Sequence, residues 1–144
     1  MYKSFLLTLF MTINCLFAVT DEELVLSIDL LINNIKSQQA PTGHIGGRSA
    51  GYTAVNALAL SYAGVKASDP VMRKALKVLL DNPPSRIYDL SVYIMLLSEV
   101  DKVRYKNEID RQAQVLIRTQ ANNGTWNYTG TGPGDNSVTQ FALL

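Results

Sequence analysis

Cysteine is almost missing. The 144-residue chain has one, Cys15, and it lies in an N-terminal stretch expected to be removed. The rest of the chain can form no disulfide and no thiolate metal site, so its stability must come from packing. Histidine is equally scarce, with His44 the only one. An excess of one charge is missing too. Thirteen basic residues face twelve acidic ones, and of all these only Lys3 precedes residue 21. That balance excludes the electrostatic footprint of a nucleic-acid binder. No segment alternates polar and apolar residues with a period of two, so essentially no sheet is expected. Neither a phosphate-cradling glycine loop nor a nucleophile elbow is present.

The N-terminus has its own grammar. Met1-Tyr2-Lys3 carries one positive charge, Ser4 to Val19 is almost wholly apolar, and Thr20-Asp21-Glu22-Glu23 restores polarity abruptly. This predicts a secretory signal peptide over 1–19, with Ala18 the best-placed residue before the cut. The apolar run is short of the roughly 20 residues a bilayer span needs. Export to a periplasmic or extracellular space follows, with membrane contact only in transit. Anchoring through the same segment is the alternative. Thr12-Ile13-Asn14 ahead of Cys15 matches a lipoprotein signal poorly.

Beyond residue 19 the chain reads as helices between short polar breaks. The first runs from about Glu22 to Gln38, with Leu24, Val25, Ile28, Leu31, Ile32 and Ile35 on one face and a Thr20–Glu23 capping box. The second, from Ser49 or Ala50 to Ala63, is alanine-rich, and its Tyr52 and Tyr62 are expected in the core. The third starts at Asp69-Pro70 and ends near Asp81, before Asn82-Pro83-Pro84. The fourth, Arg86 to Glu99, is apolar over most of its surface, which predicts burial. The fifth, Lys102 to Gln120, is amphipathic, and a sixth begins near Asn136. Amphipathic and buried helices alternate, each pair taking roughly 40 residues, a period typical of helical-pair repeats.

One motif recurs. Gln120-x-x-x-Gly124-x-Trp126 follows the fifth helix, and Gln39-x-x-x-Gly43-x-Ile45 follows the first, 81 residues earlier. Leu116 precedes the later Gln by four residues, as Ile35 precedes the earlier one. A Gln amide can bond free groups at a helix end, a Gly permits positive φ, and a Trp can cover the turn. These are structural tasks, and Gln39, Gly43, Leu116, Gln120, Gly124 and Trp126 are assigned to them.

Arg111, Leu116, Gln120, Gly124 and Trp126 together resemble the QW repeat of squalene-hopene and oxidosqualene cyclases. The segment departs from that pattern at Gln112, where a small residue is usual, and at Val115, where an aromatic is usual. The earlier copy has Ile45 in place of Trp. The resemblance covers about Glu22 to Leu144. It extends to the wider α/α-toroid group, including protein prenyltransferase β-subunits. It implies an all-α toroid of helical hairpins, closed by about five to seven pairs, of which this chain holds about three. The chain ends inside the apolar segment Phe141-Ala142-Leu143-Leu144, which predicts a fragment whose remaining repeats follow.

The sequence contains no DxDD motif. A cyclase of this type needs a strong acid from a DxDD motif, and Asp135-Asn136-Ser137 offers one carboxylate. An N-cap for the last helix is the favoured reading of Asp135 and Asn136. Asp89 and Tyr93, four residues apart on the fourth helix, form the next most site-like group, with a satisfied buried hydrogen bond as the plain explanation. The zinc site of prenyltransferases cannot be completed without a Cys, so no metal and no cofactor is expected. Two readings stay open. One is an exported, non-catalytic binding or scaffolding module whose partner is an apolar small molecule or another protein. The other is a terpenoid cyclase or related toroid enzyme whose acid site lies beyond Leu144.

Overall fold

The computed structural model describes residues 19–144, so the expected signal peptide and Cys15 lie outside the described residues, Val19 apart. The described residues fall in two units, divided between Leu31 and Ile32. The described residues form six α-helices and no strand, with one isolated bridge between Gln39 and Ile45. They are α1 (Asp21–Ser37), α2 (Ala50–Tyr62), α3 (Pro70–Asp81), α4 (Ile87–Asp101), α5 (Lys106–Thr119) and α6 (Asn136–Leu143). No helix among the described residues is long and apolar enough to cross a membrane.

Helix α1 spans both units. In the first unit its start is closed by the capping box: the Glu23 N–H donates to Thr20 Oγ1 (3.1 Å) and the Thr20 N–H to Glu23 Oε2 (2.9 Å). These bonds hold the Glu23 carboxyl below its ordinary pKa, the backbone bond from Thr20 contributing most.

In the second unit the helix ends are set by local chemistry. Ser49 and Asp69 cap α2 and α3 by accepting from the N–H groups of Gly51 and Val71. Helix α2 ends in a Schellman motif. Val65 N–H reaches back to Leu60 O and Gly64 N–H to Ser61 O, both at 2.9 Å, with Gly64 at φ +84°. Pro83 and Pro84 prevent continuation of α3. Helix α5 starts at Lys106, four residues later than the sequence predicts. Asp101 Oδ1 accepts from Arg104 N–H at 2.9 Å and bends Lys102–Tyr105 into a separate turn.

Helix α4 is central to this unit and packs on α2, α5 and α6, while α2 also packs on α3. Its buried residues Leu90, Val92, Tyr93, Leu96 and Leu97 point in several directions, as an apolar-all-round helix must when neighbours surround it. The core side of α2 is small: Gly51, Thr53, Ala54 and Ala57, with Leu58 and Leu60. Small residues let α2 and α4 approach closely. Ile32 and Ile35 at the end of α1 pack partly buried on this core.

Tyr52 and Tyr62 are not in the core. They are 64% and 63% exposed, and Val55 between them is exposed as well. Spacings of three and seven residues put all three on the face of α2 opposite Ala54 and Ala57. Hydrophobicity alone does not choose between the two apolar sides of this helix. The side with the small residues is the one that lets α4 come close. Helix α6 buries only Val138, with Phe141 and Ala142 half-covered.

Candidate functional site

The two Gln-Gly motifs form turns of the same build. Gln39 Nε2 donates to Gly43 O at 3.1 Å, and Gln120 Nε2 to Gly124 O at 3.0 Å. Inside each turn the residue after the Gln donates its N–H to the carbonyl four residues on, Ala40 to His44 and Ala121 to Thr125. The Gly N–H returns to that same residue in both, at 2.8 Å. Both glycines have positive φ, +99° at Gly43 and +83° at Gly124. The agreement extends into the following helix. Ile45 N–H donates to Thr53 Oγ1 at 3.2 Å, and Trp126 N–H to Thr139 Oγ1 at 3.0 Å. Each threonine stands four residues after its helix's N-cap, Ser49 or Asp135, and donates its own N–H to that N-cap's carbonyl.

Sequence reading missed Thr53 and Thr139. The signal available was a threonine four residues after each cap, on helices that both follow a Gln-Gly turn. A buried backbone N–H must find an acceptor, and Thr53, fully buried, is the acceptor for Ile45.

The turns also differ. Ile45 is wholly buried and Trp126 is 6% exposed, but only the indole has a polar edge, and its N–H donates to Leu116 O at 2.8 Å. That carbonyl belongs to the last turn of α5, where it also accepts from Thr119 Oγ1 at 3.2 Å. Gln39 makes a second bond, to Val71 O at 2.8 Å, which ties the first turn to α3. Gln120 is exposed. The second turn is followed by a longer loop, and Asn127 organises it by accepting from Thr129 N–H and Thr131 N–H and donating to Thr131 O and Pro133 O.

The candidate acids fall in different places. Asp135 caps α6, accepting from Val138 N–H at 2.9 Å and Ser137 Oγ at 2.5 Å, and these bonds hold its pKa below the ordinary carboxylate value. Asp89 is half-buried in the first turn of α4, in a cleft of about 310 Å³ that it shares with His44, Arg48 and Arg86. Its carboxylate packs against Gly51 so closely that a Cβ there would lie 2.4 Å from it. Tyr93 is wholly buried. Its hydroxyl donates to Glu108 Oε1 at 3.3 Å, so its partner lies on α5.

Glu108 is the meeting point of α4 and α5. It also accepts from Gln112 Nε2 (2.8 Å) and from Arg111 Nη2 (2.6 Å). Burial chiefly, and the neighbouring Glu108 carboxylate next, push the Tyr93 hydroxyl far above the usual tyrosine pKa. A tyrosine held so firmly in its protonated form serves as a buried donor. Gln112, which stands where the QW pattern has a small residue, is accommodated because Glu108 receives its amide.

Comparison with protein families, with curated proteins and with solved structures returned no match.

Proposed function

We propose that this chain is an exported α/α-toroid repeat domain, and that it binds a ligand or partner without catalysing a reaction. The toroid reading is supported by the two Gln-Gly turns and the threonine that follows each. Those turns return the chain from an outer to an inner helix in the same way at both places. The observation that carries the binding reading is the second apolar face of α2. Tyr52, Val55 and Tyr62 are exposed on a helix whose other face is fully packed. Large exposed apolar side chains gathered on one face mark interaction surfaces more often than scattered ones do. Tyrosines suit such a surface because each joins an apolar ring to a polar tip.

The cyclase alternative needs an acid that holds its proton until it meets an alkene. Asp135 gives it no support, because its cap bonds favour the ionised form.

The test is the neutral apolar dye Nile red, titrated against the chain and against Tyr52→Ser/Tyr62→Ser. The expected result is saturable fluorescence for the chain and its loss in the double variant, with helicity and Tm unchanged. Equal fluorescence from both proteins would sink the binding reading.

A further inference from the structure

A groove of about 610 Å³ lies between α3 and the turn that leads into α5. Its floor is apolar: Leu76 and Leu80 on α3, with Ala67 before it. Its rim is basic: Arg73 and Lys77 on α3, and Arg104 in the turn. Positions 73, 76, 77 and 80 fall on one face of α3, so the cations and the leucines point the same way. Asp81 is the only carboxylate lining the groove, and it is bonded to Lys77 at 2.6 Å. Arg73 makes no ion pair among the described residues. Arg104 lies over its neighbour Tyr105, 5.4 Å from the ring centre, and makes no ion pair among the described residues.

An apolar floor bounded by two arginines without an ion pair among the described residues is complementary to a molecule with an apolar chain and an anionic head. We propose that this groove binds a single-chain anionic amphiphile as a monomer. The alkyl chain lies on Leu76 and Leu80, and the head group is held by Arg73 and Arg104. Guanidinium groups match the geometry of a carboxylate or phosphate head with paired hydrogen bonds. The volume is in the range of small-molecule sites. This site lies on α3 and the turn before α5 and does not depend on the α2 face described above.

The test is isothermal titration calorimetry of the full chain with decyl phosphate below its micelle concentration. Decyl glucoside serves as the neutral control, and Arg73→Gln/Arg104→Gln as the variant. Both arginines are exposed, so the variant keeps its fold, which circular dichroism checks. One saturable site is expected for decyl phosphate, at least about tenfold weaker in the variant, with little affinity for the glucoside. Equal affinity for both probes, or for chain and variant, would overturn the proposal. So would binding seen only above the micelle concentration. A dimer by light scattering that the variant dissolves would overturn it too, and would assign the groove to a second copy of the chain.

Discussion

The indole N–H of Trp126 donates to the carbonyl oxygen of Leu116 over 2.8 Å, closing the end of α5 from outside the helix. The ring therefore has two tasks that substitutions can separate. Trp126→Phe keeps most of the packing and removes the hydrogen bond, and should cost about 1 kcal/mol. Trp126→Ala removes both and should cost about 3–5 kcal/mol. Chemical denaturation of the three proteins measures the difference. Equal losses would mean that the ring acts through its area alone.

The two threonines give a matched pair. Thr53→Val keeps the shape and leaves Ile45 N–H buried without an acceptor, at a cost of about 1–3 kcal/mol. Thr139 is half-buried, so water can reach the N–H it serves, and Thr139→Val should cost less. The order of the two unfolding midpoints is the observable.

Much of the frame was legible. The sequence places helix caps at Thr20, Asp69 and Asp135 and a helix start at Ser49 or Ala50, and in the structure Thr20, Ser49, Asp69 and Asp135 all cap helices. The Gln-Gly grammar marked both turns. Two things were hidden. The side of α2 that faces α4 is chosen by how closely the helices can approach, a property of the pair and not of either sequence. The partner of Tyr93 lies 15 residues away on another helix, where local spacing gives no guidance. Asp89, by contrast, was marked by type and position, but the cleft around it forms only when residues 44–51 meet the start of α4.

The two turn glycines should respond differently to the same change. A Cβ at Gly124 meets nothing closer than 3.9 Å, so Gly124→Ala carries only the backbone cost of positive φ, about 1–2 kcal/mol. A Cβ at Gly43 would lie 2.8 Å from Lys74 O and 2.9 Å from Val78 Cγ2. Backbone cannot step aside as a side-chain tip can, so Gly43→Ala should be the more damaging by roughly 1–3 kcal/mol. Thermal unfolding of both variants decides it.

Tyr93 predicts an alkaline limit. Its pKa is raised on folding, so its contribution to stability is fully present below the unfolded value, about 10, and is lost as pH rises through the folded value. Tyrosinate absorbance should show one tyrosine that ionises only as the helices unfold. Tyr93→Phe should remove that late step. A native chain in which every tyrosine ionises freely would contradict this.

Lys36 and Asp69 predict an acid dependence of opposite sign. The Lys36 side chain, bonded to Asp69 at 2.7 Å, is the main cause of the lowered Asp69 pKa. The stabilisation is present above the unfolded value, about 3.9, and is lost as pH falls through the folded one. The Tm difference between the chain and Lys36→Met should therefore be clear near neutral pH and vanish in strong acid. A difference that persists there would assign the effect to packing of the lysine stem.

Each turn is anchored at both ends, by the Gln-Gly bond before it and by the threonine hydroxyl and N-cap after it. Between these anchors the chain is free to vary in length. Three residues separate Ile45 from the first N-cap, Ser49, and eight separate Trp126 from the second, Asp135. Roughly doubling such a span costs only about 0.6 kcal/mol in closure entropy. The segment after residue 45 or 126 is therefore where this scaffold accepts insertions, and where one unit can acquire a surface of its own without disturbing its neighbours.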